Sequence, residues 1–468
     1  MNNDDYSRWA NRATDWSQRY LDTLRDRPVR ASLRPGDFAA QLPEIAPENP
    51  EDMAEIFADF ERLVPDAMTH WQHPRFFAYF PTNGSVPAMV AEQLVTTLSA
   101  QCMLWQTSPA ATELEGVIIR WLRGALGLPA HFTGVLHDTA TTATLSAVLT
   151  MRERALDWQG LENGIYGARL RIYASAQTHS SVDKAVRLAG IGQNNLVRVA
   201  TDADYAMDIN ALRDAIAEDR AMGFRPAGVI ACVGGTSIGA MDRVDAVLKV
   251  ARAEDLYSHV DAAWAGSAMI CPEFRPLWQG AETADSIVFN PYKWLGALSD
   301  CSVQFLADPV PQIRTLGLRP AYLETLGEDE VTNYNEWTIP LGRRFKALKL
   351  WFLLRAYGLE GLRQRIRNHV AWVQELETKF ADHPDFTITT RSRLALFSFQ
   401  FSPAGRDADA MSENLLRAIN DDGRVYLTQT RHEGRFVIRM NAGQFDCTRD
   451  DVMMVYDVAC ELAAGLTG

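Results

Sequence analysis

Several things are missing from this chain, and each absence narrows what it can be. No run of about 18 apolar residues occurs, so no membrane-spanning helix is expected. No CxxC pair and no Cys/His cluster at zinc-ligand spacing occurs, so no metal site is expected either. The six cysteines, Cys102, Cys232, Cys271, Cys301, Cys447 and Cys460, are scattered, as reduced thiols of a cytoplasmic protein would be. Basic residues are in deficit: 46 Lys and Arg against 59 Asp and Glu leave a formal net charge of -13. That balance repels phosphate backbones and makes nucleic acid a poor partner. The opening segment MNNDDYSRWANRATDW lacks the basic and apolar regions of a secretory leader, so the expected address is cytoplasmic. Internal repeats and low-complexity segments are absent as well.

What is present is an ordinary globular composition. The 468 residues are 47% apolar and 22% charged, enough for two or three domains around a large core. Tyr6, Trp9, Ala13, Trp16, Tyr20 and Leu24 fall at helical spacing ahead of the breaker-rich RPVRASLRPGDF. Such a stripe must be covered, either by the body of its own chain or by a second subunit.

From about residue 86 to 300, short apolar runs (GVLHD, LRIYASAQ, AGVIACVGG, LYSHVDAA, DSIVFNP) alternate with helical stretches such as ATLSAVLTMRERAL. That alternation predicts βα repeats and a mostly parallel sheet covered by helices. The apolar-periodic segment RRFKALKLWFLLRAYG follows and stops at Gly358. The tail, FTITTRSRLALFSFQF and RVYLTQTRHEGRFVIRM, alternates with period two and predicts a small α+β domain with an antiparallel sheet.

Ligands of open α/β sheets bind beyond the carboxyl ends of the strands, and these ends carry unusual residues. GVLHD runs into Thr139-Ala140-Thr141-Thr142-Ala143-Thr144, where hydroxyls and free N–H groups at a helix start suit a phosphate or simply cap the helix. LYSHV delivers Asp261 before Ala262 and Ala263, a carboxylate beside room for a flat ring. SIVF delivers Asn290-Pro291-Tyr292-Lys293-Trp294, where apolar neighbours would desolvate the amine and free a nucleophile. RIYAS leads to Gln177-Thr178-His179-Ser180-Ser181. Singly, each has a bland structural reading as a cap, a paired carboxylate, a surface lysine or a core histidine. Together they are the lysine, carboxylate, phosphate cup and ring-stacking partner that pyridoxal 5'-phosphate (PLP) requires.

These residues stand in segments that resemble the PLP-dependent group II amino acid decarboxylases, above all the aromatic-L-amino-acid (DOPA) decarboxylase branch. The segments are HPRFFAYFPTNGSVPAMVAE, TSPAATELE, THSSVDKA, HVDAAWAGSAMICPEFR, FNPYKWL and IPLGRRFKALKLWF, in family order. The resemblance implies an α/β fold of the aspartate aminotransferase-like type (fold type I). Residues 1–85 would form an N-terminal helical segment on the partner subunit. Residues 86–360 would form a large PLP-binding domain with a mostly parallel sheet, and 361–468 a small α+β domain. An obligate homodimer with active sites at the interface is also implied.

Residue by residue, Lys293 resembles the family's Schiff-base lysine and Asp261 its pyridinium partner. Ala263 resembles the residue beneath the ring and His179 the one stacked above it. Thr236, in GGTSIG, resembles a residue close to the cofactor and the substrate carboxylate. Ala140, Thr141 and Asn290 match phosphate-cup positions, with Thr141 where serine is common. Trp71, Phe80, Pro81, Thr82 and Met103 fall on substrate-pocket positions, some supplied by the partner subunit, and favour a flat ring. Gly342 leaves room for indole as well as phenyl rings.

The resemblance implies decarboxylation of an aromatic L-amino acid to the arylalkylamine and CO2. Tyr322, in RPAYLETL, resembles the loop tyrosine that returns a proton to Cα; with Phe there, relatives form aldehydes instead. Tyr322 and His179 together favour the amine over the alternative, an aromatic acetaldehyde synthase. Retention of Lys293, Asp261 and Tyr322 disfavours a silent PLP-binding scaffold. Two departures stand out. Tyr292 occupies the substrate-site position where the family usually has His, and Asp138 stands before the phosphate turn where Gly is common.

Overall fold

The computed structural model describes residues 3–165, 167–318 and 331–467. They fall into two compact units, one of Met1–Pro81, Glu375–Thr389 and Ser398–Gly468, the other of Thr82–Gln374 and Thr390–Phe397.

The second unit is built on a seven-stranded sheet. Its strands are β1 (Thr133–His137), β2 (Leu170–Ser175), β3 (Leu196–Val199), β4 (Arg225–Cys232), β5 (Tyr257–Asp261), β6 (Ser286–Phe289) and β7 (Ser302–Leu306), in the order β1-β7-β6-β5-β4-β2-β3. The pairs β3/β2, β2/β4, β4/β5 and β5/β6 are parallel, as the βα alternation predicts. β7 is antiparallel to both β6 and β1, so β1 runs in the common direction and only β7 opposes it. All the chemically loaded strand ends therefore share one edge.

The strands are near-continuous apolar runs because helices cover the sheet. Met151 and Val148 of the helix Ala140–Ala155 and Val182 and Val186 of the helix Ser181–Leu188 join Ile172 and Ile230 in one buried cluster. Each such side chain stabilises the fold by about 1.5–3 kcal/mol relative to exposure.

The first unit holds most of a four-stranded sheet, β10-β11-β9-β8, from β8 (Phe386–Thr390), β9 (Leu396–Phe401), β10 (Thr428–His432) and β11 (Arg435–Asn441). β10 and β11 form an antiparallel hairpin. Glu433 and Gly434 turn it with φ of 50° and 80°, a conformation that glycine adopts without strain. The helix Ala347–Ala381 breaks at Gly358, where the apolar segment was expected to stop, and then resumes.

The N-terminal stripe forms the helix Asn3–Asp22 and meets the helix Met53–Leu63 of its own chain. Trp16 lies 4.8 Å from Phe60, ring centre to ring centre, and Tyr20 OH is 2.8 Å from His70 Nδ1. Tyr6 remains 56% exposed. Leu24 is buried in a separate 3-10 turn, because the helix ends at Asp22. Among the described residues, no helix is long and apolar enough to cross a membrane.

Candidate active site

The register of the central strands sets the site. Cys232 of β4 pairs with Asp261 of β5, and Asp261 with Val288 of β6, so these strands end level. Past those ends the loops are tied together by backbone hydrogen bonds. Ala262 N–H donates to Val288 O at 3.0 Å and Asn290 N–H to Ala263 O at 2.9 Å. Asp261 is buried, and its Oδ1 accepts from Ala263 N–H at 3.1 Å. Ala263 packs with Ala140, Ala143 and Val288, giving a small apolar floor.

Lys293 lies on the one-turn helix Pro291–Trp294. Burial pushes its amine down to about 8, with the Asp261 carboxylate pulling the other way. His179 belongs to the same electrostatic group. Burial lowers it, Asp261 raises it and Lys293 lowers it. Ser181 N–H donates to His179 Nδ1 at 3.1 Å, so the neutral ring carries its proton on Nε2. The three residues read separately from three strand ends thus act on one another.

The loop after β4 closes by Gly234 N–H and Gly235 N–H donating to Ala240 O, at 2.9 and 2.8 Å, and carries Thr236. A side chain at Gly235 would come within 2.9 Å of Gln177 O, so this loop lies against the one leading to His179. Asp138, expected as an oddity beside an anion, is engaged: its Oδ1 accepts from the Thr142 hydroxyl at 2.8 Å. Thr142 Oγ1 also accepts from Thr139 N–H at 3.4 Å, capping the helix Ala140–Ala155. That capping leaves the first helical N–H groups and the Thr141 hydroxyl for an anion.

Tyr292 is half-buried. Asn290 Nδ2 donates to its hydroxyl at 3.0 Å. Burial pushes the phenol up to about 12, with Cys301, Asp138 and Asp261 adding to the effect.

Asn83 escaped the reading of the sequence. Its N–H donates to Tyr292 O at 3.2 Å, its O accepts from Leu298 N–H at 3.1 Å, and its Nδ2 donates to Lys293 O. It braces the lysine-bearing turn. Its only signal was its place in the FPTNGSVP segment, next to Thr82.

The expected substrate residues belong to both units. Thr82 adjoins Asn83 and so the Lys293 turn. Met103 and Gly342 share another neighbourhood, where Cys102 N–H donates to Arg343 O at 2.9 Å and Arg343 N–H to Gln101 Oε1 at 2.7 Å. Trp71, Phe80 and Pro81 belong to the first unit. Trp71 stacks on Tyr79 with ring centres 5.8 Å apart. The Arg439 guanidinium lies 5.5 Å from the Phe80 ring centre, and burial pushes it down to about 10. Pro81 lies close to Gly443. Tyr322 lies outside the described residues.

Chemically, the site in the second unit offers a desolvated amine, a buried carboxylate, a histidine of defined tautomer and a helix start with free donors. Asn290 Oδ1 and Thr178 Oγ1 are buried there without a partner among the described residues. This set fits PLP: Lys293 to hold the carbonyl carbon, Asp261 for the ring nitrogen, and Ala140, Thr141 and Asn290 for the phosphate.

Comparison with known proteins agrees. A family model described as the pyridoxal-dependent decarboxylase conserved domain matches residues 35–402. The aromatic-L-amino-acid decarboxylase of Cavia porcellus is 35% identical over 481 residues, covering 100% of this chain and 99% of the relative. The Oryza sativa TDC structure with PLP and tryptamine superposes with a TM-score of 0.96 at 33% identity, covering 100% of this chain and 99% of that one. The Rhodiola rosea 4-hydroxyphenylacetaldehyde synthase gives a TM-score of 0.93 at 33% identity, covering 100% of both chains.

Proposed function

Because the chain belongs to the pyridoxal-dependent decarboxylase family, we propose that it converts an aromatic L-amino acid to the arylalkylamine and CO2. It is a PLP-dependent carboxy-lyase with the aspartate aminotransferase-like fold type I. The observation that carries the reading is Lys293, its amine at about 8 and within electrostatic reach of both Asp261 and His179.

When bound, PLP supplies an electron sink for the bond that breaks as the carboxylate leaves. The chain's own groups have separate tasks. Lys293, desolvated, is a nucleophilic amine near neutral pH. Asp261 holds a proton on the ring nitrogen, and Ala263 gives the ring a flat floor. His179, with its proton on Nε2, covers the other face. Ala140, Thr141 and Asn290 anchor the phosphate, while Thr236 faces the substrate carboxylate. Tyr322 returns a proton to Cα.

The acting form is a homodimer in the cytoplasm with its active sites at the subunit interface, and Trp71, Phe80, Pro81, Thr82, Met103 and Gly342 each match a substrate position of the family. In support, Val86, Val90 and Leu94 leave an apolar stripe at four-residue spacing, each more than 40% exposed.

The test is mass-spectrometric product analysis of purified protein incubated with each aromatic L-amino acid, alongside peroxide detection. Amine without peroxide supports the reading. Aldehyde with peroxide and ammonia would replace it with the acetaldehyde synthase reaction named for the Rhodiola rosea relative. The absence of any product from every aromatic substrate would refute both.

A further inference from the structure

Tyr292 stands where an aromatic amino acid decarboxylase was expected to carry a substrate-site histidine, yet the hydrogen bond at its hydroxyl points elsewhere. The partner of its hydroxyl is the Asn290 carboxamide, at 3.0 Å and two residues upstream. Asn290 is 1% exposed, and its backbone is held on both sides. Its N–H donates to Ala263 O at 2.9 Å, and its O accepts from Lys293 N–H at 3.0 Å. The freedom left to Asn290 is rotation of its carboxamide.

In one orientation Nδ2 donates to the phenol, and Oδ1 is buried without a donor among the described residues. Turned by 180°, Oδ1 accepts from the phenol and the amide hydrogens take the other side. In either orientation the Tyr292 hydroxyl is, among the described residues, the partner of the carboxamide. The phenol is pushed up to about 12 by burial, so it keeps its proton at any working pH, unlike an imidazole.

We propose that Tyr292 is a positioning residue for the cofactor phosphate, fixing the Asn290 carboxamide that binds it, rather than a residue that selects the substrate ring. This rests on the reading of the site as a PLP site. It assigns the Tyr292 hydroxyl to cofactor affinity rather than to substrate choice. A free carboxamide would spend part of its time turned the wrong way, and each binding event would have to order it.

The test is a double-mutant cycle read on the dissociation constant of PLP, titrated back into full-length protein from which it has been removed. Tyr292→Phe keeps the ring and removes the hydroxyl; it should weaken PLP about tenfold, the size of one lost hydrogen bond. In an Asn290→Ala background the same change should have almost no effect, because Tyr292 acts through the carboxamide. Tyr292→His, which can still hydrogen-bond Asn290, should recover most of the affinity and checks that the loss in Tyr292→Phe is not misfolding.

An unchanged dissociation constant in Tyr292→Phe would overturn the proposal. So would an equal loss in both backgrounds, or an effect confined to KM for the amino acid. If unsubstituted protein bound no PLP, the reading of the site itself would fall instead.

Discussion

Asn290 donates its backbone N–H to the carbonyl of Ala263 at 2.9 Å, tying the turn that carries Lys293 to the loop that follows Asp261. The amine and the carboxylate are therefore placed by one piece of backbone, and their electrostatic coupling follows from that tie.

The first prediction uses this coupling. Asp261 pulls the Lys293 amine upward against burial. Asp261→Asn should therefore lower the amine further below about 8 and reduce kcat by at least about a hundredfold. The pH dependence of Lys293 acylation in cofactor-free protein measures the first effect, and steady-state kinetics the second. An unmoved or raised Lys293 titration would contradict the coupling.

A second concerns acid stability. Trp294, next to Lys293, donates its indole N–H to His369 Nδ1 at 3.0 Å. Burial, assisted by Arg365, pushes His369 down to about 3 from 6.5. The unfolded chain takes up a proton near 6.5 that the folded one refuses, so stability present at neutral pH is lost as pH falls from about 6.5 toward 3. His369→Phe should cost about 1–3 kcal/mol near neutrality, by leaving the Trp294 N–H unpaired. It should also flatten the acid slope. Urea unfolding of cofactor-free protein at about pH 7 and about pH 5 measures both. An unaltered slope would show that His369 is not the group involved.

A third concerns the segment containing Gly342. Arg343 and Glu115 form a buried ion pair at 2.6 Å, and Glu115 Oε1 also accepts from Leu136 N–H at 2.8 Å. Glu115→Ala leaves Arg343 buried without its carboxylate and should destabilise the protein by about 3–5 kcal/mol. A loss within about 0.5 kcal/mol in chemical denaturation, the size of a surface change, would contradict this.

The fourth concerns the reaction outcome. Tyr322→Phe should depress amine formation and bring out aldehyde, peroxide and ammonia from the same substrate. Full amine production without aldehyde would remove Tyr322 from its assigned role as proton donor.

Much of this architecture could be read from residues alone, for a physical reason. Strands buried on both faces are unbroken apolar runs, so a lysine, a carboxylate or a histidine at a strand end or a few residues past it is conspicuous. Lys293, Asp261 and His179 stood out in this way. The strand order did not, because β7, next to β6 in sequence, also pairs with β1 more than 160 residues upstream. The cover of the N-terminal stripe was also hidden, since Phe57 and Phe60 carry no mark that they face Trp9 and Trp16. Asn83 was invisible because it acts through backbone atoms more than 200 residues away. The use of Asp138 as the acceptor for Thr142 depends on a side-chain direction that spacing does not encode.

The most direct measurement is to reduce the purified protein with borohydride, digest it, and find by mass spectrometry which lysine carries the cofactor. The pyridoxyl mass is expected on Lys293, and neither that label nor any amine product from Lys293→Ala. A label on another lysine, or full turnover by Lys293→Ala, would contradict it.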